Sequence, residues 1–503
     1  MTSPETEHLS PRQLVGLVLG PVLFAALMSV EFGAQPETHR LAAVAALMAT
    51  WWITEAIPIP ATALLPLVLF PFLGIMPSGA TATEYANNSI MLFIGGFILA
   101  LATERCGLHR RLALAIIAMI GESPRRLVLG FMVATAVLSV WISNTATAMM
   151  LLPIGLSVTA LAHQRATDIS RAGVTAFSAA VMLGIAYGAS IGGVATLIGT
   201  PPNLVLQRIH RLEFPEAPEI VFAKWIQIGL PVSILFLLIA WVVLTCIVFN
   251  MRGMTGFGGA DVIRQERASL GPMSRAEFRV AVVMTATALL WVFRADIDTG
   301  LFTVPGWSRL LPGTVSGMLH DATIAMLSAV LLFLVPNGDG TGRRLMDWKT
   351  AERIPYGIIF LFGGGFALAA GFKESGLSAW LGDVFAASPL AQGSPLLLVG
   401  GVASGMTFLT ELTSNTATTN LILPVLAELA RSKEGLDPLV IMIPATISAS
   451  FAFMLPVATP PNMIVFGSGQ VKMMDMVKAG LLLNLIGIVL VVGLVFGLVG
   501  IVF

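Results

Sequence analysis

The chain is 503 residues long; 56% of these are hydrophobic and 11% are charged, and the mean hydropathy is +0.87. Soluble proteins carry roughly a quarter charged residues, so this composition excludes an ordinary soluble globular protein and indicates an integral membrane protein. The 28 basic and 28 acidic residues cancel, which removes any global electrostatic case for a nucleic-acid partner. The two cysteines, Cys106 and Cys246, have no disulfide-framework or metal-ligand spacing, and we expect two free thiols.

A membrane-spanning helix needs about 20 mostly apolar residues, and this requirement selects about eleven candidate transmembrane helices. The first of them lacks the basic n-region and small-residue cleavage site of a signal peptide, so we expect it to be retained. The predicted fold class is therefore an all-α polytopic membrane protein. The predicted spans lie near residues 14–32, 41–58, 61–78, 89–104, 173–206, 225–249, 278–293, 318–335, 355–372, 438–466 and 479–502.

Two other apolar regions, about 112–162 and 393–430, do not fit simple spans. Each is interrupted by the sequence "SNTAT", at Ser143–Thr147 and again at Ser414–Thr418. Lipid tolerates non-helical backbone only where that backbone is buried in protein or faces a water-filled cavity. We therefore expect each region to be a re-entrant hairpin with its polar tip inside the protein.

The same motifs recur in the same order in both halves of the chain. "LFIGGFILALATERCGL" at 92–108 matches "LFGGGFALAAGFKESGL" at 361–377, and "GTPPN" around Thr200 matches "ATPPN" around Thr459. An odd number of spans separates the two sets, which predicts repeats that are inverted relative to the membrane.

This pattern predicts four regions. Residues 1–40 form a tail and first span, and residues 251–277 form a cytoplasmic linker between two inverted repeats. The first repeat, 41–250, contains scaffold helices at 41–111, the hairpin at 112–162, a broken helix at 173–206 and a helix at 225–249. The second repeat, 278–503, contains scaffold helices at 278–372, the hairpin at 393–430, a broken helix at 438–466 and a helix at 479–502.

The distribution of basic residues predicts the orientation of the chain. If the amino terminus lies inside the cell, 19 of the 28 lysines and arginines fall on the inner side and 9 on the outer side. Cytoplasmic loops carry the excess of Lys and Arg. We expect a multi-pass protein of the cell membrane with a cytoplasmic amino terminus and an outside carboxyl terminus.

The interrupted segments have the chemistry of an ion site. At a hairpin tip, the free N–H groups of a starting helix present partial positive charge, and the carbonyls that end the preceding helix present partial negative charge. Ser and Thr hydroxyls and the Asn amide can serve either neighbour. In each Thr-Pro-Pro-Asn segment, proline removes a donor and disfavours helix before it, which frees carbonyls near Gly199 and Ala458. Inverted repeats with broken helices are typical of secondary transporters.

Together with "WWITEAIPIPATALLP" at 51–66, these paired motifs resemble the divalent anion/sodium symporter (DASS) family over nearly the whole chain from residue 41 onward. The resemblance implies a homodimeric, elevator-type carrier that brings a dicarboxylate or related dianion across the lipid bilayer with sodium ions, without another cofactor and without nucleic acid.

The resemblance also implies the site residues. Substrate contacts would be Asn144, Thr145, Thr200, Asn415, Thr416 and Thr459. One sodium would bind near Ser139, Ser143, Asn144 and Gly199, and the other near Thr410, Thr413, Asn415 and Ala458.

Several alternative roles stay open for individual residues. Ser, Thr and Asn in membrane helices often serve only helix packing. Glu411 is either a coupling site or a cap for hairpin backbone, Glu55 is interpreted as structural, and the GGF glycines are interpreted as packing residues. The amphipathic stretches after Arg105 and Lys373 are either interfacial or plain surface helices.

Other functions are also weighed. No intramembrane histidine pair or HExxH motif supports a metalloprotease, and "GTGRR" lacks the context of an ATP-binding loop, so we expect a transporter rather than an enzyme. A sodium-coupled carrier of C4-dicarboxylates such as succinate, malate or fumarate is favoured, since no basic residue is near the predicted sodium positions in sequence. A sodium-independent anion exchanger, an anion channel, and sulfate or citrate as substrate are the alternatives.

Overall fold

The computed structural model describes residues 9–164, 171–251, 254, 258–298, 303–387, 393–433 and 435–502. These residues are mainly helical, as is required where no water can satisfy the backbone. Among them, seven helices are long and apolar enough to cross a membrane, and four shorter apolar helices accompany them. The seven are Pro11–Met28, Ser78–Cys106, Asn144–Gln164, Arg171–Gly193, Phe222–Val248, Tyr356–Glu374 and Met473–Gly500.

The first part of the chain contains the long helices Pro11–Met28, Pro36–Thr54 and Asn88–Cys106, together with three short ones between them. Glu55 ends the second of these helices with a left-handed backbone (φ 52), and prolines follow it. The predicted span 61–78 is divided by a turn into the short helices Ile59–Thr62 and Leu65–Phe72. The third short helix is Ser78–Thr83.

The first hairpin consists of the helices Pro124–Ser139 and Asn144–Gln164, with residues 140–143 as its tip. It begins later than the predicted boundary at 112, because the preceding helix, Leu108–Ile120, ends at Gly121 (φ 123). Ser123 then caps the new helix and Pro124 occupies its first position. Residues 112–120 therefore belong to a separate helix.

The first broken helix consists of Arg171–Gly193 and Pro201–Glu213, with an interruption at 194–200. It is followed by the helix Phe222–Val242, which a π-helical turn extends through Val243–Val248. The linker region contains the helix Gly259–Ser269.

The second part of the chain repeats this order. The second hairpin consists of Pro395–Thr410 and Asn415–Ser432. The second broken helix consists of Pro438–Ala449 and Pro460–Gly467, with a 3-10 turn at Pro456–Ala458. The remaining helices are Arg275–Val292, Gly313–Ser316, Asp321–Leu334, Trp348–Ala351, Tyr356–Glu374, Leu377–Ala386 and Met473–Val502, with a 3-10 turn at Trp307–Leu310. Ile297–Asp298 pairs antiparallel with Thr303–Val304 in a two-residue ladder.

Each hairpin packs against the broken helix that follows it in sequence. The two sets also pack against each other: Arg171–Gly193 contacts Pro460–Gly467, and Pro201–Glu213 contacts Asn415–Ser432. The helix Arg171–Gly193 is the most enclosed of the seven candidate spans, with 89% of its window buried, against 11% for Pro11–Met28. The motif-bearing segments thus form one packed unit at the centre of the molecule.

The GGF glycines lie where helices approach closely. A Cβ on Gly95 would be 2.6 Å from the Ala325 side chain, and one on Gly364 would be 2.3 Å from the Ala63 carbonyl oxygen. A Cβ on Gly365 would be 2.1 Å from the side chain of Asn420. These distances support a packing role for Gly95, Gly364 and Gly365, whereas Gly96 lines a cavity and has room for a Cβ, 3.4 Å from Ile198.

Candidate functional site

Both hairpin tips and both helix interruptions line one cavity, which we call the central cavity. Its volume is about 340 Å³. All six predicted substrate residues contribute to its wall, although the two sets are about 270 positions apart in sequence. The motif residues in the wall are Ser143, Asn144, Thr145, Gly199 and Thr200 from the first set, and Thr413, Ser414, Asn415, Thr416, Ala458 and Thr459 from the second.

The serine of each SNT tip starts the helix that follows it. The Ser143 hydroxyl accepts a hydrogen bond from the Ala146 N–H (3.2 Å), and the Ser414 hydroxyl accepts one from the Ala417 N–H (3.5 Å). Ser143, predicted as a sodium ligand, therefore also acts as a helix cap. Each tip consequently presents a helix N-terminus, with its partial positive charge, to the central cavity.

The asparagine of each tip is held by a hydroxyl five residues earlier. The Ser139 hydroxyl donates to Asn144 Oδ1 at 2.5 Å, and the Thr410 hydroxyl donates to Asn415 Oδ1. Ser139 and Thr410 are fully buried behind the tips and do not line the central cavity. Within the described residues neither asparagine amide nitrogen has a protein acceptor, so both NH2 groups are available to an anion.

Three oxygen atoms lie close to Gly193 and Gly199 at the first interruption, together with Asn144 Nδ2, which would be 3.2 Å from a Cβ on Gly193. A Cβ placed on Gly193 would lie 2.7 Å from Asn144 Oδ1 and 3.0 Å from the Gly199 carbonyl oxygen, and one placed on Gly199 would lie 2.4 Å from the Gly193 carbonyl oxygen. With the Ser139 hydroxyl on Asn144, these atoms form a small cradle of oxygen donors that excludes any side chain larger than glycine. Such an oxygen set suits a hard monovalent cation, and it includes Asn144 and Gly199 of the predicted first sodium position, which stays a prediction.

The second predicted cation position has a different arrangement. The Thr410 hydroxyl also lies 2.9 Å from the Ala449 carbonyl oxygen, so its one proton is shared between that carbonyl and Asn415 Oδ1. The Thr413 hydroxyl donates to the Leu409 carbonyl (2.8 Å) and pairs with the Thr418 hydroxyl (2.7 Å), which leaves one of its two lone pairs for a cation. Ala458 lies in the wall of the central cavity. The structure thus brings the four predicted ligands close together, and the second sodium position stays a prediction.

The asparagine of each Thr-Pro-Pro-Asn segment stabilises the interruption, a role that the sequence interpretation did not assign. Asn203 Nδ2 donates to the Thr196 carbonyl at 2.7 Å, and Asn462 Nδ2 donates to the Ala452 and Leu455 carbonyls at 3.0 and 3.1 Å. Both side chains are fully buried. They satisfy carbonyls that the interruptions free. The signal available in the sequence is that both asparagines directly follow the double proline.

Glu411 connects the second hairpin to the second interruption. Its carboxylate, 2% exposed, accepts hydrogen bonds from the N–H groups of residues 453, 454 and 455 at 2.7, 2.9 and 3.0 Å, and from Asn484 Nδ2 at 2.8 Å. No basic side chain pairs with it within the described residues. It therefore caps backbone, as one interpretation expected, but the backbone is that of the interruption and not of the hairpin. In the first half, Val140 occupies this place and its carbonyl accepts from the Thr196 hydroxyl (2.7 Å).

The wall of the central cavity is almost free of formal charge. Among the described residues that line it there is no lysine, arginine or histidine, and Glu55 is the one ionisable side chain. Four helix starts, at Asn144, Pro201, Asn415 and Pro460, meet the cavity. Helix starts and amide groups favour an anion, and freed carbonyls favour cations, so the arrangement can hold both together.

Two solved structures share the overall fold at low sequence identity. The YdaH transporter of Alcanivorax borkumensis matches with a TM-score of 0.57 at 13% identity, over 97% of each chain. MtrF of Neisseria gonorrhoeae, described with a class of antimetabolite efflux pumps, matches with a TM-score of 0.53 at 13% identity, over 97% of this chain and 95% of that one. Both are membrane transporters, and at this identity the likeness concerns the fold alone.

Sequence relatives are much nearer. The sodium-dependent dicarboxylate transporter SdcS of Staphylococcus saprophyticus is 42% identical, over 98% of this chain and 93% of the relative. The protein of the same name from Staphylococcus aureus is 41% identical, over 98% and 92%. The family described as the sodium:sulfate symporter transmembrane region matches residues 12–501. The chain therefore belongs to the divalent anion/sodium symporter family, whose members are membrane transporters and not enzymes.

Proposed function

We propose that the protein is a sodium-coupled symporter that imports C4-dicarboxylates such as succinate, malate or fumarate. The observation that carries this proposal is the central cavity, where two SNT tips and two Thr-Pro-Pro interruptions meet without any basic side chain in the described wall. The names of the 41–42% identical relatives, sodium-dependent dicarboxylate transporters, support the same conclusion.

The neutral wall explains why sodium is needed. A dianion loses much of its hydration inside the protein, at a cost of several kcal/mol per ion. Each helix start supplies a partial positive charge of only about half a unit. Glu55 adds repulsion of the dianion. Two sodium ions, one in the oxygen cradle of Gly193, Gly199 and Asn144 and one near Thr410 and Asn415, would neutralise the dianion. Substrate and sodium therefore bind as a set.

The paired tips explain why a dicarboxylate fits. Each tip offers a helix start, an asparagine amide nitrogen without a protein acceptor and a threonine, Thr145 or Thr416. Two equivalent donor sets on one small cavity suit a short chain with a carboxylate at each end. Thr200 and Thr459, at the starts of the two distal half-helices, complete the substrate contacts.

The motif-bearing segments would move as one body. The hairpins and broken helices pack against each other across the two halves of the chain, which is the arrangement that an elevator-type mechanism requires. We propose that the two repeats are inverted and the hairpins re-entrant, that the carrier is a homodimer in the cell membrane, and that its amino terminus is cytoplasmic and its carboxyl terminus outside.

The proposal is tested by transport into proteoliposomes. We expect uptake of radiolabelled succinate with an inward sodium gradient and little uptake when choline replaces sodium. Malate and fumarate should compete, and the competition of sulfate and citrate reports the size of the site. Sulfate is included because the family is described by sodium:sulfate symport. Sodium-independent uptake that requires internal succinate would instead establish an anion exchanger.

A further inference from the structure

A second cavity adjoins the central one, and we call it the side cavity. Its volume is about 570 Å³. Phe97, Ser143, Thr145 and Ile358 line both cavities. Thr145 is one of the predicted substrate contacts, so the side cavity reaches the substrate site itself, beneath the tip of the first hairpin.

The wall of the side cavity contains an arginine, which the central cavity lacks, together with Glu104 and His109. Arg353 lies in its wall, and the Arg353 guanidinium pairs with the Glu104 carboxylate at 2.7 Å. The arginine side chain is 60% exposed and the glutamate side chain 37% exposed. An ion pair this accessible to water contributes little net stability. Its partners can therefore exchange with other ions at small cost.

We propose that Arg353 is a transient binding station for the substrate dianion in the side cavity, with Glu104 as its resting partner; the substrate class rests on the proposed function. When a carboxylate enters the side cavity, the guanidinium leaves Glu104 and pairs with the substrate, in the bidentate geometry that arginine offers to carboxylates. The dianion then passes Ser143 and Thr145 to the central cavity, or leaves by the reverse path.

The two cavities have different roles in this proposal: the side cavity captures the dianion, and the central cavity binds it together with sodium. A permanent cation in the central cavity would hold a dianion too tightly for release and would compete with sodium. In the side cavity, the Arg353 guanidinium attracts the anion when it leaves Glu104, without entering the final complex. Arg353 is thus a residue for capture and release, while the sodium sites set the affinity of the final complex.

The first test measures the local potential and needs neither sodium nor transport. A Met150→Cys variant, on a background with Cys106→Ser and Cys246→Ser, places a thiol in the wall of the side cavity. The rates of its reaction with an anionic and a cationic methanethiosulfonate reagent are compared. Arg353→Gln should lower the anionic-to-cationic rate ratio at least about threefold, and Glu104→Gln should raise it.

The matched control is Arg264→Gln. Arg264 also pairs with a glutamate, Glu122 at 2.8 Å, and its side chain is similarly exposed at 64%, but it lines neither cavity. This control should leave the rate ratio unchanged. An unreactive thiol, or an Arg353→Gln ratio equal to that of Arg264→Gln, would overturn the proposal.

The second test is kinetic. Succinate is added on the side of the membrane from which the Met150→Cys thiol is labelled. Arg353→Gln should raise the KM for succinate about tenfold, and the KM should depend less on ionic strength than in the wild type. The maximum rate should stay unchanged, and Arg353→Lys should restore much of the effect. A lowered maximum rate with unchanged KM would show a structural role and overturn the proposal. If the wild type moves no succinate but the label ratios shift as described, the substrate assignment fails while the anion station stands.

Discussion

At the scale of single residues, the threonines that follow the two tip asparagines are the most direct test of the substrate site. Thr145→Val and Thr416→Val remove a hydroxyl and nearly keep the side-chain shape. An underpaired carboxylate oxygen costs about 1–3 kcal/mol, so succinate transport should fall steeply in both variants. The measurement is the initial rate of sodium-driven uptake at low succinate concentration.

The control for these variants is Thr159→Val in the second arm of the first hairpin. Thr159 is buried, but its hydroxyl donates to the Leu156 carbonyl at 3.1 Å and it does not line the central cavity. This variant should keep transport. Normal transport by folded Thr145→Val and Thr416→Val proteins would remove the tips from the substrate site.

Glu411 carries a second prediction. Glu411→Ala leaves the N–H groups of residues 453–455 and the Asn484 amide without their acceptor, and each unsatisfied buried group costs about 1–3 kcal/mol. The thermal midpoint of the purified protein should fall and transport should be lost. Val140→Ala, at the corresponding place in the first half, is the comparison and should be milder. An undiminished midpoint and undiminished transport in Glu411→Ala would disprove the capping role.

Much of the wall of the central cavity could be predicted at this scale because its residues repeat. Asn144 and Asn415 recur in one motif, and Thr200 and Thr459 in another, so the repetition alone makes each of them a candidate. The partners of Glu411 could not be predicted, since three of its donors are backbone N–H groups 42 to 44 positions away and the fourth, Asn484, is 73 positions away. The role of Asn203 was equally hidden, because it binds carbonyls that only the interruption exposes.

At the scale of elements, the interruption of the first broken helix depends on two glycines. A methyl group on Gly199 would lie 2.4 Å from the Gly193 carbonyl oxygen, inside the oxygen cradle. Gly199→Ala should therefore remove most of the succinate transport, and the transport that remains should no longer be activated by sodium. The measurement is the sodium concentration that gives half-maximal succinate uptake.

Gly405→Ala is the matched control in the second hairpin. A Cβ there would meet nothing within 4 Å, so sodium activation should match the wild type. A Gly199→Ala protein with normal sodium activation would contradict the assignment of the cradle.

Element boundaries were less predictable than element types. The broken helices lie close to their predicted ranges, since a double proline fixes where the second half starts. The first hairpin starts at Pro124 and not at 112, because Gly121 and Ser123 end one apolar helix and begin another. A hydropathy count does not separate two apolar helices joined by so short a turn.

At the scale of the whole molecule, an elevator mechanism requires that the central cavity opens to each side in turn. Val457 lines the cavity and is 54% exposed, and it is not one of the predicted ligands. A Val457→Cys variant, free of the two native cysteines, should be labelled by a membrane-impermeant thiol reagent from either side, with the preferred side depending on sodium and succinate. An active variant that is labelled from one side only under every gradient would argue against alternating access.

The central claim is that a nearly uncharged cavity binds a dianion only together with sodium. The most direct measurement is calorimetric titration of the purified protein with succinate, in sodium and in choline. We predict tighter succinate binding in sodium, and tighter sodium binding with succinate by the same factor, as linkage requires. Equal succinate affinity in the two salts would contradict the claim.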